Sequence, residues 1–126
     1  MTAPTVASRL ERKVLLVSGD AALAADLGRA LPERWSMTRT EDPAALGDFA
    51  AVLQYRFMLL DLEDPAIDAP EIIDTVRRQL MLNIAIVCLG GAAAQRDAAR
   101  LARADRFYER DAAVAVLLQF CGQYDW

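Results

Sequence analysis

Three short runs of unbroken apolar residues punctuate the chain, and each stops at turn-forming or acidic residues. Val14-Leu15-Leu16-Val17 ends at Ser18-Gly19-Asp20, Phe57-Met58-Leu59-Leu60 at Asp61, and Ile84-Ala85-Ile86-Val87-Cys88-Leu89 at Gly90-Gly91. Runs of this length without polar alternation predict strands buried on both faces. Trp35-Ser36-Met37-Thr38-Arg39-Thr40 opens with apolar–polar alternation, as in an edge strand with one wet face. Phe107-Tyr108 predicts a very short fifth strand.

The intervening segments carry apolar residues at helical spacing. Asp20 is placed to cap a helix over 21–31 that turns Leu23, Leu27, Ala30 and Leu31 inward and stops at Pro32. Asp42-Pro43 opens a second, with Leu46, Phe49, Ala50 and Leu53 in phase. A third follows Pro70, burying Ile72, Ile73, Val76 and Leu80 with Arg77 and Arg78 outward. An Ala- and Arg-rich helix over 93–104 and a strongly apolar one over 112–123 complete the series. Strand then helix, five times, predicts the α/β class: one flavodoxin-like (βα)5 domain in three layers, with a parallel sheet of order 2-1-3-4-5. Residues 13–126 form that domain, and the polar stretch 1–12 reads as a flexible tail.

Composition narrows the chemistry. The 126 residues contain no histidine, which excludes Ser-His-Asp and Cys-His pairs and His-ligated zinc within this chain. Lys13 is the only lysine among 14 basic residues. A formal net charge of −4 argues against direct nucleic-acid binding. Cys88 and Cys121 lie in apolar runs and read as buried thiols of a reducing compartment. No apolar run approaches the roughly 20 residues of a membrane span, and the first twelve residues are not a signal peptide. A cytoplasmic protein without a membrane partner is expected.

In an open α/β sheet, ligands bind beyond the carboxyl ends of the strands where the strand order reverses. Here that crevice receives Ser18, Gly19 and Asp20 from the first strand and Asp61 from the third. Glu63 and Asp64 follow Asp61, while Cys88 and Leu89 come from the fourth strand and Glu109 and Arg110 from the fifth. Carboxylates gathered at such an edge are a usual way of holding Mg²⁺, here Asp20, Asp61 and Glu63.

Over about Lys13 to Gln123 the chain resembles the receiver domain of bacterial two-component response regulators. The resemblance is best in Phe57-Met58-Leu59-Leu60-Asp61-Leu62-Glu63-Asp64-Pro65, continuing through Ile67-Asp68-Ala69 and Glu71-Ile72-Ile73. In the family this region is an apolar strand, the phosphoacceptor aspartate and a proline four residues later. Lys13 to Asp20, Thr40-Glu41-Asp42 with Ala44-Ala45-Leu46, and Ala104-Asp105-Arg106-Phe107 are similar to other family segments. The resemblance implies that Asp61 is the phosphoacceptor. It also exposes departures: Ser18 and Gly19 stand where the family has two metal-binding acids, and Cys88 where it has a hydroxyl residue. Arg110 replaces its lysine, and Asp111 the following proline.

Phosphoryl transfer depends on positioning and on cations that neutralise the transferred oxygens, so these changes handicap it. A weakly held Mg²⁺ is the one cofactor implied. The expectation is a non-enzymatic signalling module acting mainly through protein–protein contacts or dimerisation, with a histidine kinase or an output domain as partner. Two alternatives stand beside it: a receiver phosphorylated on Asp61 by a histidine kinase, and a small flavodoxin-like ligand-binding protein or enzyme. The contact face implied by the resemblance lies on the 93–104 helix, the fifth strand and the last helix: Arg96, Arg100, Arg103, Phe107, Tyr108, Leu117 and Phe120.

Overall fold

In a computed structural model, residues 12–42 and 54–125 are described; the expected helix over 43–53 and the N-terminal tail through residue 11 lie outside them. The elements are β1 (Arg12–Val17), α1 (Ala21–Ala30), β2 (Trp35–Thr40), β3 (Phe57–Asp61), α2 (Ala69–Asp74), β4 (Ala85–Leu89), α3 (Ala93–Leu101), β5 (Arg106–Tyr108) and α4 (Ala113–Gln123). A π-helical turn, Thr75–Gln79, extends α2, and a 3₁₀ turn, Arg110–Ala112, precedes α4. All strands are parallel in the order β2-β1-β3-β4-β5. This is the flavodoxin-like arrangement expected from the alternation of strands and helices.

The three unbroken apolar runs became the three central strands because successive strand residues face opposite sides. Leu15, Val17, Met58, Leu60, Ile86 and Cys88 build one core with Ile73, Val76 and Ala99 of the helical layer. Val14, Leu16, Phe57, Leu59, Val87 and Leu89 build the other with Leu27, Leu117 and Phe120. Phe57 is fully buried, its ring centroid 5.7 Å from Trp35, 5.7 Å from Phe120 and 5.9 Å from Tyr124. No helix among the described residues is long and apolar enough to cross a membrane. Both cysteines are free and buried, and burial pushes each thiol up to about 12, which makes them packing groups rather than nucleophiles.

Two orientations differ from expectation. Arg77 does not face outward, because its guanidinium donates to the carbonyls of Leu82 (3.0 Å), Ile84 (2.6 Å) and Arg103 (3.2 Å) and to Asp105 (2.6 Å). The i→i+5 bond from Leu80 N–H to Thr75 C=O marks the π turn, which alters the helical phase around Arg77. Leu117 and Phe120 are also interior, at 0% and 4% exposure, so they pack the fold instead of forming a contact face. Val114 and Leu118 are the large apolar residues of α4 that reach solvent.

Among the described residues, three that are not glycine hold left-handed backbone: Arg34 (φ 75°), Met81 (φ 57°) and Arg103 (φ 86°). Each lies between a helical segment and the strand that follows, where glycine is the usual choice. The conformation costs about 1 kcal/mol at each.

Candidate functional site

The carboxyl ends of β1, β2 and β3 open onto a cleft of about 420 Å³. Gly19, Asp20, Glu41, Asp61, Glu63, Asp64 and Pro65 line it, with Arg110 entering from beyond β5. Asp61, the last residue of β3, is fully buried. Its carboxylate accepts from the Ser18 hydroxyl at 2.8 Å and the Glu63 N–H at 3.0 Å. Arg110 completes the set in a bidentate approach, Nε to Oδ1 at 3.2 Å and Nη2 to Oδ2 at 3.1 Å. Both oxygens of Asp61 are therefore committed within the chain.

The same Nη2 reaches Asp20 Oδ2 at 2.5 Å, so one guanidinium joins two carboxylates. Asp20 also caps α1 as its sequence position suggested, accepting from Ala22 N–H at 2.9 Å and Leu23 N–H at 3.2 Å. The bond from Arg110 and then the cap hold the Asp20 carboxyl below its ordinary value. The bonds to Asp61 and Asp20 push the Arg110 guanidinium up. A depressed carboxyl favours the fold above its unfolded value and loses that contribution as pH falls through the folded one. The loss accordingly sets in below the ordinary aspartate value of about 4, with no counterpart near neutral pH. Acid unfolding of wild type and Arg110→Ala checks this: the wild-type stability profile should fall more steeply in that range. Parallel profiles would contradict it.

Asp64 turns to the backbone, accepting from Gly19 N–H at 2.6 Å and Ala66 N–H at 2.9 Å. Glu63 leans over the β4–α3 loop, accepting from Gly91 N–H at 3.4 Å. It can lie there because Gly90 (φ 70°) has no side chain: a Cβ would come within 2.0 Å of Glu63 Oε2. Gly90→Ala is thus expected to destabilise by about 1–3 kcal/mol through left-handed strain and displacement of Glu63. Chemical denaturation measures it, and an unchanged midpoint would refute the packing argument.

Asp20, Asp61 and Glu63 do not converge as a Mg²⁺ donor set. Two are bridged by Arg110 and the third faces another loop. Among the described residues no three acidic, thiol or imidazole side chains are placed to hold a metal ion. The physical reason lies in the first strand: Ser18 and Gly19 bring no carboxylate, and Arg110 engages two of the five that line the cleft, Asp20 and Asp61. The residues present do not fit the ion.

Most of the expected pocket residues come together: Ser18, Gly19, Asp20, Asp61 and Arg110. Cys88 does not. It pairs with Leu60 and lies in the core on the α2/α3 side, while Leu89 is the residue opposite Asp61. Glu41 is a cleft residue that the sequence reading did not select. Its position just after β2, beside β1, was the available signal. On the expected contact face, Arg96 bonds Glu109 (3.0 Å) and the Gly90 carbonyl (3.2 Å). Arg100 pairs with Asp97 (3.0 Å) and lies 4.7 Å above the Phe107 ring. Phe107 and Tyr108 are half-buried, and Arg103 is exposed.

A five-stranded parallel sheet in this order is also the fold of receiver domains of known structure. Solved structures agree. The signal receiver domain of a response regulator from Bermanella marisrubri is similar over 90% of this chain and 98% of its own, with a TM-score of 0.72 and 24% identity. A response regulator from Hahella chejuensis matches over 90% and 95% of the two chains, with a TM-score of 0.71 and 16% identity. The receiver domain of a sensor histidine kinase from Pseudomonas aeruginosa PAO1, which coordinates a magnesium ion in its active-site cleft, matches over 91% and 98%, with a TM-score of 0.69 and 16% identity. No family model and no curated protein matches the chain by sequence. The likeness is one of fold, and the differences lie in the cleft.

Proposed function

We propose that this chain is a receiver-like signalling module of the bacterial cytoplasm that works through protein contacts and not through phosphoryl transfer. One observation carries the reading: Arg110 is laid bidentate across Asp61 and bridged to Asp20. A buried carboxylate with its oxygens filled by Ser18, a backbone N–H and a guanidinium has no free oxygen to attack a phosphoryl donor. A guanidinium also lacks the compactness of an ammonium and cannot take over a metal's role in binding the transferred oxygens. The partner under this reading is a histidine kinase or an output domain, met through the surface of α3, β5 and α4. A homodimer through the same surface uses Val114 and Leu118, which are exposed, in place of Leu117 and Phe120.

The test is incubation with acetyl phosphate, and separately with beryllofluoride, in the presence of Mg²⁺. Intact mass and fluorine NMR should show no adduct on the wild type. A stoichiometric adduct that disappears in Asp61→Asn would establish the phosphoacceptor reading instead.

A further inference from the structure

The charge of the chain is unevenly placed. Residues 77–106 hold six arginines and two aspartates, a formal +4 within a chain of net −4. Four of the six arginines are ion-paired, Arg77 with Asp105, Arg78 with Asp74, Arg96 with Glu109 and Arg100 with Asp97. That leaves Arg103 and Arg106 exposed and without an ion pair among the described residues. The same stretch contains the two most exposed large apolar residues described, Met81 at 78% and Leu101 at 87%. Both lie toward the amino ends of β4 and β5, at the far end of the strands from the Asp61 cleft. There the buried Arg77 guanidinium ties the turn at 82–84 to the turn at 103–105. Met81 and Arg103 adopt left-handed backbone on these two turns, and both side chains are solvent-exposed. Glycine would suit each backbone better, so the local conformation gives no reason for a methionine and an arginine there.

We propose that this edge, centred on Met81, Leu101 and Arg103, is a docking surface for an acidic, apolar segment of a partner protein. Charge chooses the partner's sign, since the exposed Arg103 and Arg106 at this edge have no acidic partner among the described residues. The two bare apolar side chains choose protein over a phosphate backbone, whose contacts are polar and ionic. Strained residues retained on a braced scaffold are the kind of outlier that points to function. The surface is separate from the cleft, so its use does not depend on whether Asp61 is phosphorylated.

The experiment titrates the full chain with a synthetic amphipathic peptide of glutamate and leucine, followed by amide NMR. Saturable shifts are expected at Met81, Leu101 and Arg103, with affinity falling as salt rises. The double variant Met81→Gly/Arg103→Gly should bind at least about tenfold more weakly, while its thermal midpoint stays level or rises because the strain is relieved. Leu101→Ala should weaken binding without moving the midpoint. No binding, shifts confined to other surfaces, or full affinity in the double variant would overturn the proposal. Salt-sensitive self-association of the chain, abolished by Arg103→Gly, would likewise overturn it, since a second copy would then be the occupant.

Discussion

Arg110→Ala is expected to lower the stability of the fold by about 2–3 kcal/mol, with the Asp61 cleft opened in the same step. Asp61 is fully buried, and removing the guanidinium leaves its carboxylate with the Ser18 hydroxyl and one backbone N–H. Removing one partner of a buried ion pair costs about 3–5 kcal/mol, because the other charge remains desolvated. The cleft is open and Arg110 itself is partly exposed, so water compensates for some of that loss. Denaturant unfolding measures the effect. Arg110→Lys should recover only part of it, since an ammonium cannot span both Asp61 oxygens and Asp20 as the planar fork does. A stability equal to wild type in Arg110→Ala would mean that the pair is not held in solution.

The larger stability effect falls on the opposite side of the sheet from Cys88. Phe57→Ala should cost about 3–5 kcal/mol, the range for deleting a fully buried aromatic ring. Phe57 is the hub where Trp35 from β2, Phe120 from α4 and Tyr124 beyond it meet, so its removal opens a cavity between sheet and helix. The rigid β1–β3–β4 backbone around it cannot collapse into that space. Thermal or urea unfolding reads the loss directly, and a change below about 1 kcal/mol would show that α4 packs differently. Phe57 begins the strand that Asp61 ends, so the variant should also broaden amide resonances at the cleft.

The sheet was legible because β1, β3 and β4 are buried on both sides, and such strands have to be written as continuous apolar runs. Asp61, Asp20 and Arg110 were legible as cleft residues for a related reason: each follows or ends an element whose limits are marked by a change from apolar to polar. Cys88 and Leu89 were both read as cleft residues, but the β3–β4 register sets them beside Leu60 and Asp61. Each is buried in a core, one on either side of the sheet. Nothing in either strand's own sequence encodes that pairing. Arg77 was misread because a regular 3.6-residue helix does not anticipate the π turn over 75–79. Leu117 and Phe120 were misassigned because α4 is apolar around most of its circumference, so periodicity alone cannot choose the buried side.

What the sequence did not contain at all was the joint use of Arg110 by Asp61 and Asp20, residues that lie 49 and 90 positions from it. Read singly, each change from the family pattern is a loss of an acid or of a lysine. Together they are consistent with one arrangement: Gly19 brings no acid, Ser18 donates its hydroxyl to Asp61, and Arg110 supplies the positive charge from within the chain.

A Mg²⁺ titration followed on the Arg110 Nε–H resonance tests that arrangement most directly. A protected, slowly exchanging signal is expected, lost in Asp61→Asn and kept in place in the wild type at millimolar Mg²⁺. A saturable collapse of the signal to the exposed arginine position on adding Mg²⁺ would contradict it, because the metal would then have displaced the guanidinium from Asp61.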